Sequence, residues 1–174
     1  MSEIKVRGKC IEECKYKGQW VYGFGAYKWD EDGVLKAEIH SAERIYIVDP
    51  ETVGQYTGLP DKNGKEIYKG DILKYTSNER TGTRVSYKRR GYDTYSVNSD
   101  IEITGVVNKG EHDGLLTYIV ETEQYTTYES YFWGSGKRSD RPDLVKNKLT
   151  KPLSTKREYE VVGNRWDNPD LLGG

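Results

Sequence analysis

Short stretches of alternating apolar and polar residues, each cut off by a turn rich in glycine or aspartate, predict a mainly β chain. Gln19 to Trp29 (QWVYGFGAYKW) alternates in part and is rich in aromatic residues, as a half-buried strand or a bent hairpin would be. Glu31-Asp32-Gly33 supplies a turn. Arg44 to Val48 (RIYIV) predicts a second strand. Asp49 to Val53 predicts one turn of helix, with Asp49 as N-cap and Pro50 at the first helical position. Between Val53 and Tyr75, Asn63-Gly64 predicts a tight hairpin turn, since both residues tolerate positive φ. Gly70-Asp71 then opens a strand over Ile72 to Tyr75.

Further on, Ile101 to Val107 (IEITGVV) alternates up to a turn near Lys109-Gly110, and Leu115 to Glu121 pairs back as a hairpin. The polar residues 76–100 read as an insertion into this sheet. They form either a loop or an excursive hairpin built on Val85-Ser86-Tyr87 and Thr94-Tyr95-Ser96-Val97. Tyr125 to Trp133 (YTTYESYFW) reads as a strand with rings on both faces, one toward the core and the other toward the insertion or a neighbouring subunit. Arg141 to Leu149 predicts a short helix that Pro152 ends. Glu158 to Val162 is the expected last strand and Asn168 to Leu172 a closing helical turn. The fold expected is a small SH3-like, partly open barrel or a curved antiparallel sheet, with an inserted polar excursion and short helical turns.

Composition adjusts this picture rather than replacing it. The 174 residues fit one domain, with insertions at about 76–100 and 134–157. Hydrophobic residues make up only 34%, but fifteen tyrosines and four tryptophans supply apolar area with a polar tip. Charge is segregated along the chain. Residues 76–92 hold five basic side chains and one acidic; residues 93–136 hold one basic and eight acidic; residues 137–157 hold eight basic and two acidic. Such alternation brings opposite-sign segments together within the fold or between subunits, or it displays separate patches to partners. No apolar run approaches a membrane span and Met1 to Lys9 lacks an apolar signal region, so a cytoplasmic protein is expected. Cys10 and Cys14 have no second pair to complete a zinc site and read as two reduced thiols, with no metal and no cofactor expected.

One stretch carries a resemblance. Gln55-Tyr56-Thr57-Gly58-Leu59, Asp61-Lys62-Asn63-Gly64-Lys65, Ile67-Tyr68 and Gly70-Asp71-Ile72 are similar to the signature of the YopX family, small proteins encoded largely by phages and prophages. Ile4 to Lys9 followed by Gln19 to Gly23 resembles the family's opening. Tyr159 to Asn164 and Asp167 to Leu172 resemble its close. The resemblance implies provenance and fold; it brings no general biochemical activity with it, and it suggests a homo-oligomer.

The residues that carry chemistry point away from catalysis. His40 and His112 sit in no spaced metal motif, and there is no phosphate-cradling loop, nucleophile turn or zinc-protease helix. The strongest binding candidate is Arg84 to Tyr95 (RVSYKRRGYDTY), where Lys88, Arg89 and Arg90 stand between Tyr87 and the pair Tyr92 and Tyr95, with Arg84 upstream. Lys137, Arg138 and Arg141 beside Trp133 form a second cluster. Arginines reach phosphate oxygens in pairs while tyrosine rings stack on bases. Tyrosine and arginine are also enriched where proteins bind proteins most tightly. A solvated loop answering the acidic segment is the plain structural alternative. Taken with the resemblance, the expectation is a non-enzymatic phage or prophage accessory protein that binds and modulates a host protein in the bacterial cytoplasm, such as a defence or takeover target. The alternatives are a nucleic-acid-binding module using these loops, and a homo-oligomer sequestering a small nucleotide-like ligand.

Overall fold

The computed structural model describes residues 4–112, 115–128 and 143–172, and all of their regular structure is strand apart from one 3-10 turn, Pro169–Leu172. The first strands are β1 (Val6–Lys9), β2 (Trp20–Gly23), β3 (Gly25–Glu31), β4 (Val34–His40) and β5 (Ile45–Val48). Then come β6 (Gly54–Pro60), β7 (Glu66–Tyr68), β8 (Asp71–Lys88) and β9 (Gly91–His112). The last are β10 (Leu115–Tyr128), β11 (Asp143–Pro152) and β12 (Glu160–Asn164). They form three sheets, ordered β2-β1-β6-β7, β3-β4-β5 and β11-β10-β9-β8-β12, with antiparallel neighbours throughout. Among the described residues none closes into a barrel, so the expectation of a mainly β, antiparallel fold holds and its SH3-like form is not confirmed.

Two apolar clusters lie between these sheets. Val6 and Val21 of the first sheet meet Ala37, Ile39, Tyr46 and Val48 of the three-stranded sheet, together with Cys10. Ile67, Leu73, Tyr75, Ile103, Val107, Val120 and Tyr159 form the second cluster, on the five-stranded sheet. Each fully buried Ile, Leu or Val contributes roughly 1.5–3 kcal/mol, so these few positions offset a hydrophobic content that looked meagre. The stretch from Val53 to Tyr75 runs from one cluster to the other, Val53 packing against the first and Ile67 and Leu73 lying inside the second.

Several sequence expectations change in form. Gln19 to Trp29 is bent, as allowed, but its two halves belong to different sheets, with Phe24 at the corner. Asp49 to Val53 makes a hydrogen-bonded turn rather than helix: Thr52 N–H donates to Asp49 C=O at 3.1 Å, and Glu51 N–H to the Asp49 carboxylate at 2.9 Å. The tight two-residue turn occurs at Asp32-Gly33, where both φ are positive. At Asn63-Gly64 only Gly64 is left-handed, at φ 82°, and Asp61 and Lys65 close a three-residue loop. The segment 76–100 is the excursive hairpin: Val85 lies across from Thr94 and Tyr87 across from Tyr92, in strands continuous with Ile72–Tyr75 and Ile101–Val107. The β9–β10 hairpin runs past Lys109-Gly110 to His112 and Leu115.

The short helix expected over Arg141 to Leu149 is instead strand from Asp143, paired along β10 from Tyr128↔Asp143 to Ile119↔Pro152. Leu144, Val145 and Leu149 suit either period. The free edge of a Thr- and Tyr-rich strand decides the matter by pairing, and tertiary context overrides a weak propensity. Of the expected strand Tyr125 to Trp133, β10 holds the part to Tyr128 and the rest lies outside the described residues.

Candidate functional site

The β8–β9 hairpin begins inside the second core and leaves it. Ile72, Leu73, Tyr75 and Ser77 are buried, whereas Asn78 is exposed. β12 pairs with β8 only over Asp71 to Lys74, and β10 pairs with β9 only from Val106 onward. Beyond those points β8 and β9 pair with each other alone, among the described residues. From Asn78 to Lys88 the ribbon climbs roughly 30 Å at about 3.3 Å per residue. β10 and β11 continue likewise as a second two-stranded ribbon from Thr122↔Leu149 to Tyr128↔Asp143. Because β9 and β10 are antiparallel neighbours, both ribbons head the same way. The sheet forks.

Arg89 and Arg90 are the turn at the end of the first ribbon, between Lys88 and Gly91, and both are exposed. The register sets Arg84 across from Tyr95, Tyr87 across from Tyr92 and Lys88 across from Gly91. The strand pairing thus gathers Arg84, Tyr87, Lys88, Arg89, Arg90, Tyr92 and Tyr95 at one end of one hairpin. Trp133, Lys137, Arg138 and Arg141 lie outside the described residues.

The same register explains much of the charge pattern. β8, with Lys74, Arg80, Arg84 and Lys88, pairs with the part of β9 that carries Asp93, Asp100 and Glu102. β11, with Lys146, Lys148 and Lys151, pairs with β10, which carries Glu121 and Glu123. Segments of opposite sign meet within the fold. Arg89 and Arg90 stand past the last paired residues, so this internal matching does not absorb them.

A second cluster joins the three blocks that carry the family resemblance, and the sequence did not mark it as a unit. Arg7, 5% exposed, reaches across from β1 to Asp71, 1% exposed, with a guanidinium–carboxylate distance of 2.5 Å. Its guanidinium lies between two rings, 4.5 Å from the centre of Trp20 and 4.9 Å from that of Tyr68. Asp71 also accepts the Tyr68 N–H at 2.8 Å. Burial pushes the Asp71 carboxyl up, while Arg7 and the Tyr68 N–H pull the other way.

The chain's end closes over this pair. Trp166 packs on Trp20, and Arg165 N–H donates to Gly70 C=O at 3.0 Å. Asp167 accepts from Lys9 Nζ, Asn164 Nδ2 and Trp20 Nε1, which together bring its carboxyl down to about 2. Gly70 sits at φ 90° with the Trp166 ring where a Cβ would go, so only glycine fits there. Asp61 ties the signature turn to β12: one carboxylate oxygen accepts the Asn63 and Lys65 N–H groups and the other accepts Val161 N–H at 3.1 Å. The Arg7–Asp71 pair is too deeply buried to meet a partner. Its work is to hold the two cores together and to seat the base of β8, from which the hairpin extends.

A model of the YopX protein family matches residues 15–173. No curated protein and no solved structure matches the chain.

Proposed function

This chain belongs to the YopX family, and on that premise we propose that it is a non-enzymatic phage accessory protein that binds a host protein through the tip of the β8–β9 hairpin. The observation that carries this reading is the exposed pair Arg89-Arg90 at the end of a ribbon that no third strand covers, among the described residues. A two-stranded ribbon is marginal in water on its own, so it is suited to a partner laid against it. Tyr87, Tyr92 and Tyr95 in the neighbouring register suit such a contact, because aromatic and arginine side chains dominate protein–protein hot spots. The buried junction acts as the fixed base of this arm.

Capture from lysate of the host bacterium, with the wild type and with Arg89→Glu/Arg90→Glu side by side, tests the reading. One host protein in stoichiometric amount, weakened about thirtyfold or more by the charge reversal, supports it. Equal capture by both forms, or no stoichiometric protein, contradicts it. A second reading, single-stranded nucleic acid, rests on the same arginines beside tyrosines. It predicts oligonucleotide binding that falls steeply with salt.

A further inference from the structure

The loop between β1 and β2 brings together three metal-ligating side chains, of which the sequence pattern marked only two. Cys10 continues β1 as a bridge to Val48 and is 1% exposed. The loop that follows is pinned from both sides. Cys10 N–H donates to Gln19 C=O, Gly18 N–H to Cys10 C=O and Ile11 N–H to Ile47 C=O, at 2.9, 2.8 and 3.1 Å. Inside it, Cys14 N–H donates to Glu12 C=O at 2.7 Å and Lys17 N–H to Cys14 C=O at 3.1 Å. As a result the two sulfurs and a Glu12 carboxylate oxygen all lie within 4.8 Å of one another. Both thiols are free, Cys14 and Glu12 being half-buried.

We propose that Cys10, Glu12 and Cys14 bind a thiophilic divalent cation of the zinc type, with a fourth, solvent-facing position. In a tetrahedral site with Zn–S of about 2.3 Å and Zn–O of about 2.0–2.2 Å, ligand atoms stand roughly 3.4–3.8 Å apart. Drawing in the widest present separation by about an ångström reaches that spacing, which is within rotamer adjustment for Glu12 and Cys14. Two thiolates favour zinc, cadmium or cobalt over magnesium or calcium, which take oxygen ligands. Arg44 donates to Glu12 Oε2 at 2.8 Å, so the carboxylate is held in place by a cation that also offsets the ligands' negative charge. Three protein ligands and one open position describe a site that takes water or a group from a partner. The pinned loop offers its ligands already gathered.

Cobalt titration of the full chain, reduced and metal-free, is the test. One equivalent of Co2+ should give the thiolate-to-cobalt charge-transfer band, and Zn2+ should displace it. A competing zinc chromophore should report affinity about a hundredfold weaker in Cys14→Ala and at least about tenfold weaker in Glu12→Gln. Glu13→Gln, which alters a neighbouring carboxylate paired with Lys17, should leave it unchanged. Cys14 is half-buried, and thermal unfolding of Cys14→Ala verifies that the variant folds. Absence of the charge-transfer band in the wild type, or equal zinc affinity in wild type and Cys14→Ala, overturns the site. Equal affinity in Glu12→Gln overturns the three-ligand assignment.

Discussion

Arg7 and Asp71 concentrate more energy than any exposed ion pair of this protein. The pairs Lys36–Glu31 and Lys17–Glu13 are open to water and contribute little. Removing one partner of a buried pair instead leaves an uncompensated charge and costs about 3–5 kcal/mol. Arg7→Met is therefore expected to lower unfolding free energy by about that amount in urea titrations. Arg7→Met combined with Asp71→Asn should lose less than Arg7→Met alone, since no carboxylate is then stranded. The Arg7→Met deficit should also shrink as pH falls, because the orphaned carboxyl takes up a proton that the folded protein tolerates. Asp167 has the opposite sign. Its folded value of about 2 lies below the ordinary 3.8, so its stabilisation is complete above that ordinary value and disappears as pH drops from 3.8 toward about 2. Acid titration of Asp167→Asn should show a shallower loss of stability through that window than the wild type.

Strands were legible where short runs rich in apolar and β-branched residues lie on a core. Arg44 to Val48 and Leu115 to Glu121 show this, since each has one face on a core. Legibility failed where pairing rather than burial sets the structure. Beyond Asn78 the sequence left a loop and an excursive hairpin as alternatives, and the pairing of β8 with β9 decides for the hairpin. β11 was misread for a related reason: its three lysines and Asn147 carry no apolar period, and the edge of β10 fixes its state. The Asn63-Gly64 signal gave the right hairpin with the wrong turn, because the side chain of Asp61 organises a three-residue loop around Gly64 alone. Asp61→Asn replaces one accepting oxygen by an amide that cannot accept. It is expected to cost about 1–3 kcal/mol in chemical unfolding, because a Val161, Lys65 or Asn63 N–H is left without its acceptor. A loss below a few tenths of a kcal/mol would show that the turn does not depend on this side chain.

At the scale of the molecule, the blocks that identify the family and the residues that read as a binding surface occupy opposite ends of the same strands. Lys9, Trp20, Tyr68, Gly70, Asn164 and Asp167 meet around the buried Arg7–Asp71 pair. Arg89 and Arg90 stand at the far end of β8. The sequence separated these groups by composition, but it gave no sign that the first was one structural unit, since its members lie up to 158 residues apart. Charge segregation was legible as a pattern and became intelligible only with the strand order, which pairs basic β8 with acidic β9 and acidic β10 with basic β11.

The direct test of the binding reading is photo-cross-linking in the host cell. A photoreactive side chain is placed at Asp93, near the hairpin tip, or at Val34, which is 58% exposed on the three-stranded sheet. A discrete adduct with one host protein is expected from position 93, none from position 34, and the adduct should be lost when Arg89 and Arg90 are changed to glutamate. Adducts of equal yield from both positions, or a position-93 adduct that survives the charge reversal, would contradict the binding reading.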